Sequence, residues 1–173
     1  MRRVRYAVGM SLDGFIANNL DETSWMIGDP GYDSRPFLAS VDTALVGRRF
    51  YEVMLRHRMR SYPGLRTYVV SRTLPAEDYP EVTMVGDDVL AKVAELRAEN
   101  GKDIWLCGGG ELFRSLLDAH LVDTIELGVS PILLGQGRPF LPSADRSHRL
   151  RLTRKEAFPS GLLVLHYDVD AVS

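Results

Sequence analysis

The spacing of hydrophobic and polar positions changes several times along the chain, and each change marks an element. Residues 4–10 (VRYAVGM) alternate weakly and predict a first strand. The turn signal Ser11-Leu12-Asp13-Gly14 follows, then a short apolar return at 15–17. Residues 18–32 carry no period, and so long an irregular segment predicts a functional or mobile loop, such as a lid. Residues 33–41 read as a short helix with Pro36 in its first turn. A buried strand at 43–46 runs through Gly47-Arg48-Arg49 into a helix at 50–55. A basic connection spans 58–66, and a third buried strand, TYVVS, occupies 67–71. Another strand is expected at 81–86. A helix at 87–100 should turn Val89, Leu90, Val93, Ala94 and Leu96 inward and stop at Asn100-Gly101.

The stretch 103–117 (DIWLCGGGELFRSLL) organises the rest. It reads as a buried strand, three glycines and a helix with Leu112, Phe113, Leu116 and Leu117 at helical spacing. Residues 124–132 read as a strand, 133–142 as a glycine-rich arm, and 150–158 with 162–169 as an antiparallel hairpin around Pro159-Ser160-Gly161. Strands alternating with helices, closed by a hairpin, predict an α/β fold in one domain over residues 1–173. Its central sheet should be mostly parallel, with an antiparallel edge.

Composition narrows the function little. A formal net charge of −2 gives no reason to expect a nucleic-acid partner or an anionic membrane surface. The single cysteine, Cys107, excludes an internal disulfide and fits a reducing compartment; its buried strand makes it a small hydrophobe rather than a nucleophile. The basic N-terminus has too short an apolar run for a signal peptide or a membrane span, so a cytoplasmic protein is expected. His57, His120, His148 and His166 have no ligand spacing, and no metal site is expected.

Candidate chemistry lies where strands end. Gly108, Gly109 and Gly110 put unpaired backbone N–H groups and the positive end of a helix dipole at one point, and without Cβ atoms a phosphate can approach it closely. A tight strand-to-helix turn would need only one glycine. The segment is neither G-x-G-x-x-G nor G-x-x-x-x-G-K-[ST]. Arg48 and Arg49 at one strand end, with Ser71 and Arg72 at another, suggest that more than one phosphate is held. NADPH has that layout, with a pyrophosphate and a separate 2′-phosphate.

These segments carry a family likeness. VGRRFYEVM, TYVVSRTL and DIWLCGGGELFRSLL resemble the glycine–arginine segment, the serine–arginine strand and the glycine turn of dihydrofolate reductases. AVGMSLDGFIA and VDTIELGVSPILLGQGRPFLP resemble the reductase domain of the bifunctional riboflavin-synthesis deaminase-reductase and its stand-alone relatives, and the likeness runs from Val4 to Val169. It implies a three-layer dihydrofolate reductase-like fold, with helices on both faces of the sheet. It also implies NADPH-dependent hydride transfer to a pteridine or ribosylaminopyrimidine-type heterocycle. By position it implies that Val8, Gly9 and Ile16 line the nicotinamide, and that Gly47 opens the arginine segment. Arg48, Arg49, Ser71 and Arg72 should surround the adenosine phosphate, and Gly108, Gly109, Gly110, Glu111 and Leu112 should hold the pyrophosphate. A cis bond between Gly108 and Gly109 is implied as well.

Two positions depart from the family. Phe50 stands where a phosphate-contacting threonine is usual, and 51–57 (YEVMLRH) lack the acidic–proline–leucine–arginine stretch that holds a substrate ribose phosphate. Arg35 or Arg138 could take that role, though neither matches a motif, and poor activity on the phosphorylated riboflavin precursor is expected. For the proton donor, Asp33 or Asp29 is nearest by spacing and Asp13 is the other candidate. Asp33 also reads as a helix cap and Asp13 as a turn residue. Trp25 is a candidate for stacking on the substrate ring. Apolar alternation at Ile125, Leu127 and Val129 and at Leu163, Leu165 and Tyr167, with the family's pairing through sheets, predicts a homodimer. A cofactor-binding module with little turnover, or a flavin or deazaflavin as hydride carrier, are the alternatives.

Overall fold

The structure is a computed structural model and describes residues 1–143 and 146–170. Its elements run β1 (Val4–Ser11), β2 (Phe15–Ala17), α1 (Arg35–Ser40), β3 (Val41–Gly47), α2 (Arg48–Arg56), β4 (Arg66–Val70), β5 (Thr83–Val85) and α3 (Val89–Ala98). They continue with β6 (Asp103–Gly108), α4 (Gly110–Asp118), β7 (Thr124–Ser130), β8 (Arg138–Pro139), β9 (Leu150–Ala157) and β10 (Leu163–Val169). One sheet has the order β5-β4-β3-β6-β1-β7-β10-β9, while β2 and β8 pair separately. Neighbours from β5 through β7 are parallel; β10 is antiparallel to both β7 and β9.

The sequence pattern explains this order. Parallel inner strands are covered on both faces and read as continuous apolar runs, as β3 does with Thr43, Ala44, Leu45 and Val46 all buried. Alternate residues then divide between two cores. Val4, Tyr6, Leu45, Ile104 and Leu106 meet Val93 and Leu96 of α3 and Phe113 and Leu116 of α4. Ala44, Val46, Val69 and Cys107 meet Tyr51 and Met54 of α2 on the opposite face, where Phe37 of α1 stands edge-on to Trp105. Helices on both faces of a mostly parallel sheet give the expected three layers. Phe113 stacks on Tyr6 with ring centroids 3.9 Å apart, joining α4 to the central strand. Burying such a ring contributes about 1.5–3 kcal/mol.

Local expectations are corrected in two places. The third helix is shorter than 87–100: it stops at Ala98 with an extended Glu99 behind it, and only Val93 and Leu96 are fully buried. Leu90 and Ala94 are exposed, because they lie about 60° and about 100° around the helix from Val93, on the side away from buried Leu96. In β7, Ile125, Leu127 and Val129 are buried in the chain's own core, so their alternation is already used within one protomer. The apolar side chains left exposed at that end of the sheet are Leu150 and Leu152 on edge strand β9. Among the described residues, no helix is long and apolar enough to cross a membrane.

Candidate functional site

Strands β4, β3 and β6 are neighbours, so their carboxyl ends form one edge. Val46 pairs with Gly108 across that edge. Gly47 caps α2 and Gly109 caps α4. A Cβ on Gly47 would lie only 3.2 Å from the Gly109 nitrogen, so the two helix starts nearly touch. The first N–H groups of each helix fall outside its i→i−4 ladder, and both positive dipole ends point at this edge. The peptide bond between Gly108 and Gly109 is cis, as the likeness implies. Glu111 is turned outward to Arg114 at 3.2 Å, and the Leu112 side chain is buried in the core, so Leu112 offers a ligand only its backbone. Phe50 lies about 4.0 Å from where a Cβ on Gly108 would sit, so an aromatic ring takes the place of a hydroxyl beside the turn.

Close approach explains the third glycine. A Cβ on Gly110 would meet the Pro139 carbonyl oxygen at 2.7 Å and Pro142 at 2.8 Å. The arm thus lies directly on the start of α4. Asp13 holds the other end of this arm, accepting hydrogen bonds from Leu134 N–H (3.0 Å) and Gly135 N–H (2.7 Å), while Ser11 donates its hydroxyl at 2.6 Å. The Ser11 hydroxyl bond, with these amides behind it, holds the Asp13 carboxyl at about 2.

The four residues expected around an adenosine phosphate divide into two groups. Arg48 donates to the Thr73 hydroxyl at 3.0 Å, which brings it to the turn after β4. Ser71 begins that turn and accepts from Thr73 N–H and Leu74 N–H, so its hydroxyl proton is what it can offer an anion. Arg72 follows on the same turn, highly exposed and 3.7 Å from Asp87. Arg49 stands exposed beside Arg48. Its charge acts on Asp21, whose carboxyl is lowered chiefly by the Arg138 hydrogen bond and further by the charges of Arg138, Arg49 and Arg56. Thr73 and Asp21 were not singled out from sequence; a lone threonine and an aspartate in a polar loop carry no spacing signal.

On β1, Val8 and Gly9 face opposite ways. Val8 packs into the α3/α4 core, while Gly9 opens onto the α1/α2 face. There the Met26 sulfur lies 2.7 Å from the position a Gly9 Cβ would take. The 18–32 segment therefore folds back over Gly9, and Ile27 N–H reaches the Ser130 hydroxyl at 3.3 Å. Ile16 is half-buried on β2, which pairs with the arm through β8. Trp25 is half-buried, its indole N–H donating to the Glu22 carbonyl at 3.1 Å.

The three candidate proton donors are all engaged. Asp33 accepts from the Arg35 guanidinium at 2.8 and 2.9 Å and from Arg35 N–H at 3.0 Å, and these bonds lower its carboxyl. Asp29 accepts from Gly31 N–H and Ser160 N–H and is lowered likewise. With Asp13, these carboxylates stay ionised at neutral pH and hold turns together. Burial pushes the Cys107 thiol well up, in keeping with a packing role. Among the described residues, no three His, Cys, Asp or Glu side chains gather in a way that could hold a metal ion.

This three-layer sheet with paired glycine helix starts at one edge has the architecture of the RibD C-terminal domain. The model of that family matches residues 2–164, and the chain belongs to it. Among curated relatives, the uncharacterized protein YyaP of Bacillus subtilis (strain 168) is 29% identical over 178 residues, covering 96% of this chain and 94% of YyaP. Among solved structures, a putative riboflavin biosynthesis protein from Shewanella sp. PV-4 superposes with a TM-score of 0.82 at 24% identity, covering 99% of this chain and all of that one. The dihydrofolate reductase of Enterococcus faecalis, solved with NADP(H) and RAB-propyl, shares the fold at a TM-score of 0.68 and 18% identity, with coverage of 96% and 94%.

Proposed function

We propose that the protein is an NADPH-dependent reductase that transfers a hydride to a pteridine or aminopyrimidine-type heterocycle. The observation that carries this reading is the pairing of two anion-binding features on neighbouring strand ends. The α2 and α4 starts meet at Gly47 and Gly109, and Arg48 reaches across to the Ser71–Thr73 turn one strand further out. Adjacent strands lie about 4.8 Å apart, so these features are separated on the scale of a dinucleotide's pyrophosphate and ribose phosphate. NADP(H) bound to the Enterococcus faecalis relative by fold supports the same choice here. Arg35 and Arg138 are already engaged by Asp33 and Asp21, which supports weak activity on a phosphorylated ribosyl substrate.

The test is a titration of NADPH and NADH against wild type, Arg48→Ala and Arg72→Ala. A guanidinium–phosphate hydrogen bond of about 1.5–3 kcal/mol corresponds to a roughly ten- to a hundredfold loss of NADPH affinity, with NADH almost unchanged. Equal binding of both cofactors by wild type, or no change of the ratio in either variant, would refute the 2′-phosphate site. We further propose a homodimer that uses β9, whose Leu150 and Leu152 lie exposed on an edge strand. Light scattering at micromolar concentration should return the mass of two chains, and a one-chain mass would refute it.

A further inference from the structure

Three arginines act on one carboxylate beside the two helix starts. Arg138, on β8 of the arm, holds the Asp21 carboxyl with two guanidinium nitrogens, at 2.7 and 3.5 Å. The charges of Arg49 and Arg56 on α2 act on the same carboxyl. Seven residues separate those two arginines, nearly two full turns, so they share one face of the helix. Both stand exposed, and among the described residues neither is paired with a carboxylate at salt-bridge distance. The backbone fixes where this happens. Arg138 precedes Pro139, whose carbonyl oxygen lies against Gly110 at the start of α4. Arg49 is the second residue of α2, whose cap Gly47 meets Gly109. Three positive charges thus surround one negative charge where two helix dipoles also end.

A simple clasp between loop and arm does not account for this arrangement. The tip at 18–22 closes on itself: Asn18 N–H donates to the Glu22 carbonyl, and the Asn18 side chain accepts from Leu20 N–H and Glu22 N–H. The arm is fixed independently. Phe140 N–H donates to the Gly14 carbonyl, Asp13 holds Leu134 and Gly135, and Gly137 packs tightly against Ala17. With the Arg138 side chain 40% exposed, its pair with Asp21 contributes little to stability. Asp21 also has a φ of 59°, in the left-handed region that few residues other than glycine adopt. Neither the tip nor the arm needs this carboxylate, yet it is held among the arginines.

We propose that Arg138 is a diphosphate-binding residue and that Asp21 is its internal stand-in: the diphosphate of a dinucleotide takes the guanidinium from Asp21 and lies between the arm and α2. A diphosphate carries negative charge on several neighbouring oxygens, which suits the parallel donors of one guanidinium and the positive charges beside it. The proposal rests on the reading of Gly108–Gly110 as a diphosphate site. It names the side chain that this turn, presenting backbone alone, lacks. Arg48 and Arg72 separate NADPH from NADH through the 2′-phosphate, whereas Arg138 serves the part that both cofactors share. Committed in this way, Arg138 is not free for a substrate phosphate, in line with weak activity on a phosphorylated ribosyl substrate.

The test is calorimetric binding of NADPH, NADH and inorganic pyrophosphate to the full chain. Arg138→Gln should weaken NADPH and NADH alike, roughly ten- to a hundredfold, and leave their ratio unchanged. Asp21→Asn should tighten both by about two- to fivefold, the gain expected when an exposed ion pair no longer competes. Tighter binding requires a folded chain, so damage to the fold cannot produce it. In the Arg138→Gln background the gain from Asp21→Asn should vanish. In wild type, inorganic pyrophosphate at millimolar concentration should displace both dinucleotides, a measurement that needs no variant. Weaker or unchanged binding by Asp21→Asn would make the pair a structural clasp and overturn the proposal. Unchanged binding by Arg138→Gln, or no competition from pyrophosphate, would overturn it as well. If wild type binds neither dinucleotide but binds pyrophosphate in a way that responds to both substitutions, the cofactor reading fails and this anion site stands. If Arg48→Ala shifts the NADPH-to-NADH ratio while neither substitution here has an effect, the reverse holds.

Discussion

The two strand–glycine–helix junctions, β3 into α2 and β6 into α4, follow one plan and present different things to a ligand. The first has a single glycine, and behind it Arg48 and Arg49 stand exposed. Arg48 donates to Thr73 and lies 3.6 Å from Glu52, while the positive charge of Arg49 helps lower the Asp21 carboxyl. The second has three glycines, an outward-turned Glu111 and a buried Leu112, so it presents backbone alone. One junction can discriminate by charge, whereas the other discriminates only by shape. Substitutions at the second should therefore act on the fold, and those at the first on ligand choice.

Gly110→Ala should have the largest effect on stability. Its new Cβ would sit 2.7 Å from a carbonyl oxygen of the arm, and overpacking of this kind costs about 1–3 kcal/mol. Thermal unfolding should show a melting temperature lowered by several degrees. An unchanged melting temperature would mean that the arm does not lie on α4. At the first junction, Gly47→Ala meets its neighbours at 3.2 Å and should cost less, since a shift of a few tenths of an ångström relieves it. Between the arginines, Arg48→Ala should reduce the NADPH-to-NADH ratio more than Arg72→Ala, because Thr73 holds Arg48 toward the Ser71 turn while Arg72 is highly exposed. The opposite ranking in the cofactor titration would reassign the phosphate to the outer side of that turn.

A smaller effect separates the arm's anchor from both junctions. Asp13 is held at about 2 against an ordinary 3.8, so its bonds stabilise the folded state fully above the ordinary value and are lost as pH falls toward 2. Asp13→Asn should melt below wild type at neutral pH, and the two curves should converge near pH 2. A difference that persists in acid would show that the charge is not what anchors the arm.

Much of this was legible from residue order because it depends on local chemistry. Apolar runs bounded by glycine or arginine turns located β3, β4 and β6, and parallel sheets bury such runs on both faces. The glycines at 108–110 pointed to the α4 start for the same reason. The third helix was overestimated because an apolar residue such as Leu90 satisfies the pattern whether or not a strand lies beneath it. Proton-donor candidates were chosen by spacing, and spacing does not reveal that Arg35 is folded back on Asp33. The buried cluster of Glu126 with Arg5 and His166 could not be read from the pattern, because only the registers of β1, β7 and β10 bring the three together.

Strands β1 and β6 pair only as far as Tyr6 and Leu106, whereas β1 follows β7 to Ser11. Where they part, the Ala7 carbonyl is taken up by the Trp105 indole N–H at 3.1 Å. One of the chain's two tryptophans is thus wired to the opening of the sheet, beside Gly9. A reduced nicotinamide bound there would absorb the light that this indole emits, so cofactor occupancy can be followed as quenching of intrinsic fluorescence, without a label. Trp25, in the loop above, provides a second emitter, and removing either by Trp→Phe substitution assigns the signal to the sheet or to the loop.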